Sequence, residues 1–312
     1  MSSNQEIIQK ADMALADLAT AGKLNPQQTN RFLKNLMDSP TIIPQVRTVF
    51  MTGPEMKINK IGFGSRVLRP AVEDTALSAG DRVKPDLGQV VLNTKEFIAE
   101  LRIPYSVLED NIEGGRIDGK PTEGAGGIHA TIVDLLGQRA ARDLEELALQ
   151  GDTASGDAYL ATMNGWLKLC VSNAVAAGGA VFTKDLVKAA VKAMPDRYLR
   201  DRNAMKHFVS VDNETELRDQ YGERATSLGD SMVQGNLPLR VFGSTVEGAA
   251  MIDPASALFT NPKNLIFGIQ RDITLEFDKD ITRRQFIVVL TTRVALQVEE
   301  TLAAVKTTGI AL

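Results

Sequence analysis

Two histidines and a single cysteine are the residues of this chain best suited to metal binding or nucleophilic chemistry. His129 and His207 each lack a second ligand at i+3 or i+4, so neither belongs to a helical zinc pair. Cys170 has no histidine nearby in sequence, which leaves open only a partner distant in the chain. We predict that Cys170 is a small buried hydrophobic residue and that His129 is a surface or capping residue.

A glycine-rich segment offers a second kind of site. Gly124, Gly126 and Gly127 precede a predicted helix, as glycines do in phosphate-binding loops. However, no Lys-Ser/Thr pair follows, no apolar strand leads into the segment, and no acidic residue is suitably placed. A flexible hinge is the better interpretation, because glycine adopts many backbone conformations.

Two pairs of carboxylates raise the possibility of acid–base or metal chemistry. Glu145 and Glu146 are adjacent in a predicted helix, where neighbouring side chains point about 100° apart and do not converge. Asp278 and Asp280 lie in a predicted turn, where aspartate commonly forms local hydrogen bonds. A solvated turn is favoured there, with a cation site as the minor alternative. The sequence therefore predicts no catalytic residue, no cofactor and no metal.

Composition limits the class of protein further. The chain has 312 residues, of which 44% are hydrophobic, so a sizeable core is expected. Its net charge is −4 and it has no long Lys/Arg block, which argues against tight nucleic-acid binding as its main role. One cysteine permits no intrachain disulfide and suits a reducing cytoplasm. The N-terminus does not resemble a signal peptide, and no run reaches the roughly 18 apolar residues of a membrane span.

The first hundred residues predict an arm, a connector and a hairpin. Residues 4–38 have the periodicity of two amphipathic helices with a thin apolar face, separated by a break. Three prolines predict an extended connector over 40–56. Strand-like patterns at 57–63 and 90–103 flank the segment 64–88, which is rich in Arg, Pro, Asp and Gly. This order predicts a long projecting β-hairpin, which would need support from a neighbouring subunit because hairpins are poorly stable alone.

The strongest helical pattern spans 128–150, and Gly151 is its predicted stop. Its predicted apolar stripe consists of Ile132, Leu135, Leu136, Ala140, Leu144, Leu147 and Ala148. Its predicted polar face consists of Arg139, Arg142, Asp143, Glu145 and Glu146.

The rest of the chain alternates between helices and strands. Thr183 is the predicted N-cap of a helix that ends near Pro195, and a short helix is predicted over 214–221. Strands are predicted at 207–211, 239–242, 249–252, 265–269, 273–277, 286–290 and 294–305, with a hairpin turn at 278–280.

Several segments resemble the major capsid proteins of tailed bacteriophages with the Hong Kong 97-type fold. The resemblance is carried by Asn164-Gly165-Trp166-Leu167, by 257–269 (ALFTNPKNLIFGI), by 273–280 with Phe286 and Arg293, and by 298–305 (VEETLAAV). It covers nearly the whole chain, and the order of the elements carries more of it than any single motif.

The resemblance implies an α+β fold with four parts. They are an N-terminal arm at 1–55, an extended loop (E-loop) hairpin at 56–104, a peripheral domain at 105–171 and 265–312 with a spine helix at 128–150, and an axial domain at 172–264. Two features of the founding member lack a match here. The long scaffolding segment before the arm is missing, and none of Lys57, Lys60 and Lys84 can be matched to an isopeptide cross-link.

The resemblance also implies a function. Copies would form hexamers and pentamers that close into an icosahedral shell around phage double-stranded DNA, as part of a virion assembled in the host cytoplasm. DNA would be enclosed without sequence-specific binding, and no membrane would be involved. Expected partners are a portal, a scaffold or maturation protease, and a decoration protein. Two alternatives stay open: an encapsulin-like shell that loads a cargo enzyme, and a soluble enzyme with an active site scattered in sequence.

Charged residues near the hairpin tip are the predicted contacts between subunits. They carry both signs, which suits repeated charge-complementary contacts, although a solvated surface loop would look similar. The predicted contact residues are Arg66, Arg69, Glu73, Asp74, Asp81, Arg82 and Lys84.

Overall fold

The computed structural model describes residues 40–63, 66–70, 76–78, 80, 82–104, 128–223 and 238–311. The predicted helical arm at 4–38 and the glycine segment at 124–127 lie outside these ranges. Within them the chain has few helices and many strands, which confirms the predicted α+β class.

The helices are α1 (Ile128–Gln150), α2 (Trp166–Leu169), α3 (Lys184–Ala193) and α4 (Val211–Gly222). The strands are β1 (Arg47–Phe50), β2 (Glu55–Gly62), β3 (Asp86–Asn93), β4 (Lys95–Pro104), β5 (Ala174–Ala176), β6 (Lys206–Val209), β7 (Arg240–Val241), β8 (Ser244–Gly248), β9 (Ser256–Thr260), β10 (Leu265–Asp280), β11 (Gln285–Val298) and β12 (Ala304–Thr308).

The first sheet has the order β1-β10-β11-β4. Its centre is the long antiparallel pair β10–β11, and alternate residues of β11 are buried. The predicted turn at 278–280 is wrong, because β10 continues to Asp280 and the chain reverses at 281–284. Asp280 begins that turn, since its Oδ1 accepts a hydrogen bond from the Arg283 N–H at 3.0 Å.

The projecting hairpin consists of β2 and β3, which pair antiparallel from Glu55↔Asn93 to Gly62↔Asp86. The predicted single strand at 90–103 is wrong, because the chain leaves the hairpin at Thr94. There the Thr94 N–H donates to the Pro54 carbonyl oxygen at 3.0 Å, and the following residues form β4 along the edge of the first sheet. The polar run Asn93-Thr94-Lys95-Glu96 lies at this change of partner.

The second sheet has the order β5-β12-β9-β6-β8-β7. The predicted strand at 249–252 is wrong, because these residues follow β8 in a turn, where only Ala249 and Ile252 are buried. The last strand, β12, pairs with β5 and β9. The end of the chain therefore contributes to both sheets, through β10 and β11 in the first and β12 in the second.

Helix α1 has the predicted bounds and ends before Gly151 as predicted. Two residues depart from the predicted faces, since Leu135 is 58% exposed and Glu145 is 3% exposed. The burial of Glu145 is caused by the predicted connector, which is less extended than its prolines suggested. Ile42 and Ile43 are buried in the same core cluster as Leu147, so this segment covers part of the helix that was expected to face solvent.

The end of α1 touches the start of α2 through two glycines. The Gly165 N–H donates to the Gly151 carbonyl oxygen at 2.8 Å. A Cβ on Gly165 would lie 2.8 Å from the carbonyl oxygens of Leu147 and Ala148. Such distances are too short for any side chain, so glycine is required here by the close approach of two backbones.

Gly165→Ala should therefore destabilise the subunit by about 2–3 kcal/mol, the usual cost of overpacking a rigid contact. Denaturant unfolding of the unassembled subunit would measure it. Gly156→Ala is the matched control, because a Cβ added at Gly156 would meet no atom within 4 Å. Equal stability of the two variants would contradict the prediction.

Candidate assembly surface

The nucleophile suggested by the sequence is inaccessible. Cys170 is buried in the main core cluster, as predicted. Burial raises the pKa of its thiol to about 12, so the thiol remains protonated and unreactive near neutral pH. No three His, Cys, Asp or Glu side chains of the described residues converge to hold a metal ion.

His207 is also a buried structural residue. Its ring stacks on Phe259 with centroids 4.0 Å apart and planes 12° from parallel. Its Nε2 atom is buried without a hydrogen-bond partner. Desolvation lowers the pKa of the imidazole to about 3, so His207 is neutral in the folded protein. His129 lies at the start of α1, and its side chain is outside the described part of the structure.

The carboxylate pairs have separate environments. Glu145 is buried, whereas Glu146 is only half-buried, in agreement with their predicted divergence. Asp278 accepts a hydrogen bond from the Lys279 N–H, and Asp280 holds the turn described above. These local bonds support the interpretation of the aspartates as hydrogen-bonding residues at a strand end and turn. None of the described helices is both long and apolar enough to cross a membrane.

Glu145 connects α1 to the segment that follows the predicted arm. Its two carboxylate oxygens accept hydrogen bonds from the backbone N–H groups of Ile42, at 2.7 Å, and Thr41, at 3.2 Å. Desolvation raises the pKa of this carboxyl group, and the two N–H donors partly oppose that rise. The bonds fix Thr41 and Ile42 against α1.

Glu145→Ala should lower the free energy of unfolding by about 2 kcal/mol, because it leaves two partly or fully buried N–H groups without an acceptor. Glu145→Gln should cost less, since its amide oxygen can still accept one bond. Urea unfolding of the unassembled subunit gives both values. A smaller loss for the alanine variant than for the glutamine variant would contradict this role.

The base of the hairpin is anchored on the first sheet. Val90 and Leu92 are buried in one apolar cluster with Met51, Ile266 and Ala295. Beyond this cluster, the Lys60 ammonium donates to the Glu299 carbonyl oxygen at 2.6 Å and forms an ion pair with Glu300 at 3.1 Å. The hairpin therefore projects from a fixed base.

The far end of the hairpin is apolar and uncovered. We define the distal hairpin as residues 61–63 and 82–87 with the described residues between them. Ile61 is 72% exposed and Leu87, its direct cross-strand neighbour, is 76% exposed. Further along, Phe63 and Leu68 are 58% and 84% exposed. An exposed apolar group of this kind typically marks a surface that binds another protein.

Sequence reasoning selected the charged residues of this loop and missed its apolar ones. Arg66, Arg69, Arg82 and Lys84 are exposed in the structure. Glu73, Asp74 and Asp81 lie outside the described residues, so the seven predicted contacts stay a prediction. The signal for the missed residues was present, because Val67, Leu68 and Leu77 are large apolar side chains in a segment without helical or strand periodicity.

Known proteins resemble this chain in sequence and in structure. No family model matches the chain. The chain is 39% identical over 315 residues to "Putative prophage capsid protein YqbE" of Bacillus subtilis (strain 168), and the match covers 97% of both chains.

Solved structures share the fold at low sequence identity. A chain of "Satellite phage P4 procapsid including size determination (Sid) protein" has a TM-score of 0.66 and 15% identity, covering 99% of this chain and 98% of that one. A capsid chain of a native GTA particle has a TM-score of 0.62 and 16% identity, covering 89% and 91%. A chain from Mycobacterium phage Cain has a TM-score of 0.56 and 16% identity, covering 88% and 90%.

Proposed function

Because this chain belongs to the family of phage capsid proteins with the Hong Kong 97-type fold, we propose that its copies form hexamers and pentamers that close into an icosahedral shell. The shell encloses phage double-stranded DNA, and the place of the protein is the virion capsid. The role is structural, with no bond chemistry by the chain itself.

One observation carries this proposal most directly, namely the anchored hairpin with an uncovered apolar end. A fixed base and a projecting apolar tip are what a subunit needs to reach across its neighbour. Contacts of this head-to-tail kind use two different surfaces and close into rings when the rotation between subunits permits. The charged tip residues would add weak, repeated pairs of about 0–1 kcal/mol each, which sum over the many copies of a shell.

The parts of the subunit receive the roles that the resemblance implies. Residues 1–55 form the arm, 56–104 the E-loop, 105–171 with 265–312 the peripheral domain, and 172–264 the axial domain around the ring axis. In this division the end of the arm would pack on the body through Ile42, Ile43 and Val46, and β12 would join the sheet of the axial part by pairing with β5 and β9.

The relation to DNA is enclosure without tight binding. The net charge of −4 gives no broad attraction for DNA phosphates. Salt at physiological concentration screens the repulsion between the acidic shell and the phosphates within roughly 10 Å. Assembly would require a portal and either a scaffold or a maturation protease, with a decoration protein as an optional partner. An encapsulin-like role is less favoured, since the relatives described above are phage and prophage capsid proteins and GTA capsids.

Electron microscopy of the expressed chain tests this proposal. We expect rings or closed shells in negative stain, and masses far above that of the 33.8 kDa subunit by light scattering. Extraction of nucleic acid from particles made during phage induction would separate a DNA shell from one loaded with an enzyme. A small soluble oligomer under all assembly conditions would refute the proposal.

A further inference from the structure

Strand β4 forms one edge of the first sheet. It pairs with β11 from Lys95↔Val294 to Pro104↔Gln285 without a shift in register. Among the strands that the structure describes, none pairs with its other edge. This edge is long, because β4 has 10 residues, whereas the edge strands β1, β5 and β7 have 4, 3 and 2. A long free edge offers a row of backbone N–H and C=O groups to a further strand.

The side chains of β4 suit a partner of matching charge. Ile98 is 69% exposed and Leu101 is 38% exposed. Charged side chains can protect an edge against pairing. The charged residues of β4 are Lys95, Glu96, Glu100 and Arg102. Because both signs are present, these residues oppose some registers of a partner strand and favour others.

The two faces of β4 restrict these registers further. Phe97 and Ala99 pack on the core cluster that contains Leu144 and Leu147 of α1, so odd-numbered residues of β4 face α1 and even-numbered residues face away from it. All subunits of a closed shell present the same face to the interior. Two copies that pair through β4 therefore need α1 on the same side, which places odd residues opposite odd ones and even residues opposite even ones.

Two antiparallel registers of β4 with a second copy meet this condition and leave a single residue of the strand unpaired. The register centred on Ala99 leaves out Pro104 and places Glu96 opposite the partner's Arg102. The register centred on Glu100 leaves out Lys95 and places Glu100 opposite the partner's Glu100. Unlike charges meet in the first register and like charges in the second, so the first is favoured.

We propose that subunits of neighbouring rings pair through β4 in the register centred on Ala99, so that their first sheets join across a two-fold axis. The inference rests on the proposed shell and assigns it a contact between rings. Head-to-tail contacts close each ring, whereas a two-fold contact uses the same surface on both subunits and therefore joins one ring to the next.

The charged side chains of this contact already have partners within the subunit. Glu96 pairs with Arg271 and Arg293, and Arg102 pairs with Glu100. In the proposed register the partner's Arg102 extends the cluster around Glu96 without displacing a residue from it. Exposed ion pairs contribute little to affinity, so the charges select the register. The backbone hydrogen bonds and the contact of Phe97 with the partner's Leu101 hold the two strands together.

Disulfide cross-linking of the full chain tests the contact and its register. Ala99→Cys places a new thiol on the proposed two-fold axis, where opposite Cα atoms lie about 4.5–5.5 Å apart, within the range of about 4.4–6.8 Å that a disulfide spans. The native Cys170 is buried and does not compete. Lys95→Cys is the matched control, because the same register separates its two copies by roughly 25 Å.

After mild oxidation of assembled particles, Ala99→Cys should give at least about tenfold more disulfide-linked dimer than Lys95→Cys. Under reducing conditions both variants should keep the thermal stability of the unassembled wild-type subunit within a few degrees, because the first change is small and Lys95 is exposed. Normal particles without an excess of dimer from Ala99→Cys would overturn the inference while the proposed function stood.

Hydrogen exchange of the unmodified chain is an independent test. In an antiparallel edge strand about half of the N–H groups point away from the sheet. Those of β4 should exchange freely in the unassembled subunit and at least about tenfold more slowly in closed shells. Protection already present in the unassembled subunit would show that another part of the chain covers this edge, and would overturn the inference, as would unchanged exchange in closed shells. Failure of the wild-type chain to form rings or shells would count against the proposed function and against the contact that rests on it.

Discussion

Ile61→Thr with Leu87→Thr should abolish shell assembly while leaving the subunit folded. The two residues are cross-strand neighbours on the distal hairpin and are more than 70% exposed, and threonine suits a strand, so unfolding of the subunit should change little. Burial of each side chain on a neighbour would contribute about 1.5–3 kcal/mol. Loss of both lowers the association constant at each contact by about 100-fold or more.

Light scattering and electron microscopy measure this effect at subunit concentrations that suffice for the wild type. The matched control is Ile61→Val with Leu87→Met, which keeps apolar side chains and should assemble. A threonine variant that forms shells at the wild-type concentration would show that the distal hairpin does not carry the contact. A variant that loses its thermal transition would instead show that these residues support the subunit.

Acidification should destabilise the subunit through His207, and His207→Leu should remove this sensitivity. The ordinary imidazole pKa is 6.5, and burial lowers the pKa of His207 to about 3. As pH falls below 6.5, the His207 imidazole therefore becomes protonated in the unfolded chain but stays neutral in the folded chain. Stability contributed by the neutral imidazole is present above pH 6.5 and is lost as pH falls toward 3, at about 1.4 kcal/mol per pH unit.

Urea unfolding at pH 7 and pH 4.5 tests the size and sign of this effect. Between these values the wild type should lose about 2.5 kcal/mol more than His207→Leu. The variant should also be no less stable at pH 7, because it removes a buried Nε2 atom without a partner. Equal losses of stability in the wild type and in His207→Leu between the two pH values would contradict the role of His207. Protonation of carboxylates should destabilise both proteins alike, so it does not change the difference between them.

The elements that could be predicted are those whose pattern is local. Helix α1 was predicted with its observed bounds, because a long apolar periodicity and a following glycine are both contained in 24 residues. Helix α3 follows Thr183 as predicted, although the Thr183 side chain forms no capping hydrogen bond. The hairpin of β2 and β3 was predicted as a projection because its tip carries no regular period.

The errors occurred where a strand changes partner or a second segment covers a surface. Residues 90–103 were predicted as one strand, although the polar run Asn93-Thr94-Lys95-Glu96 interrupts their apolar residues where the chain passes from the hairpin to the first sheet. Glu145 looked solvated because a carboxylate in a helix usually is. Its burial depends on Ile42, about a hundred residues earlier, whose N–H satisfies the carboxylate.

The sequence by itself predicted an α+β fold and a projecting hairpin with a charged tip, and its motifs resembled those of capsid proteins with the Hong Kong 97-type fold. The hairpin and the helices were predicted from short-range periodicity, whereas the capsid type rested on the resemblance. Only the tertiary structure decided which residues of the hairpin are uncovered and which carboxylate of α1 is buried. Those features arise from contacts between residues far apart in the chain, and the spacing of residues in the sequence does not predict such contacts.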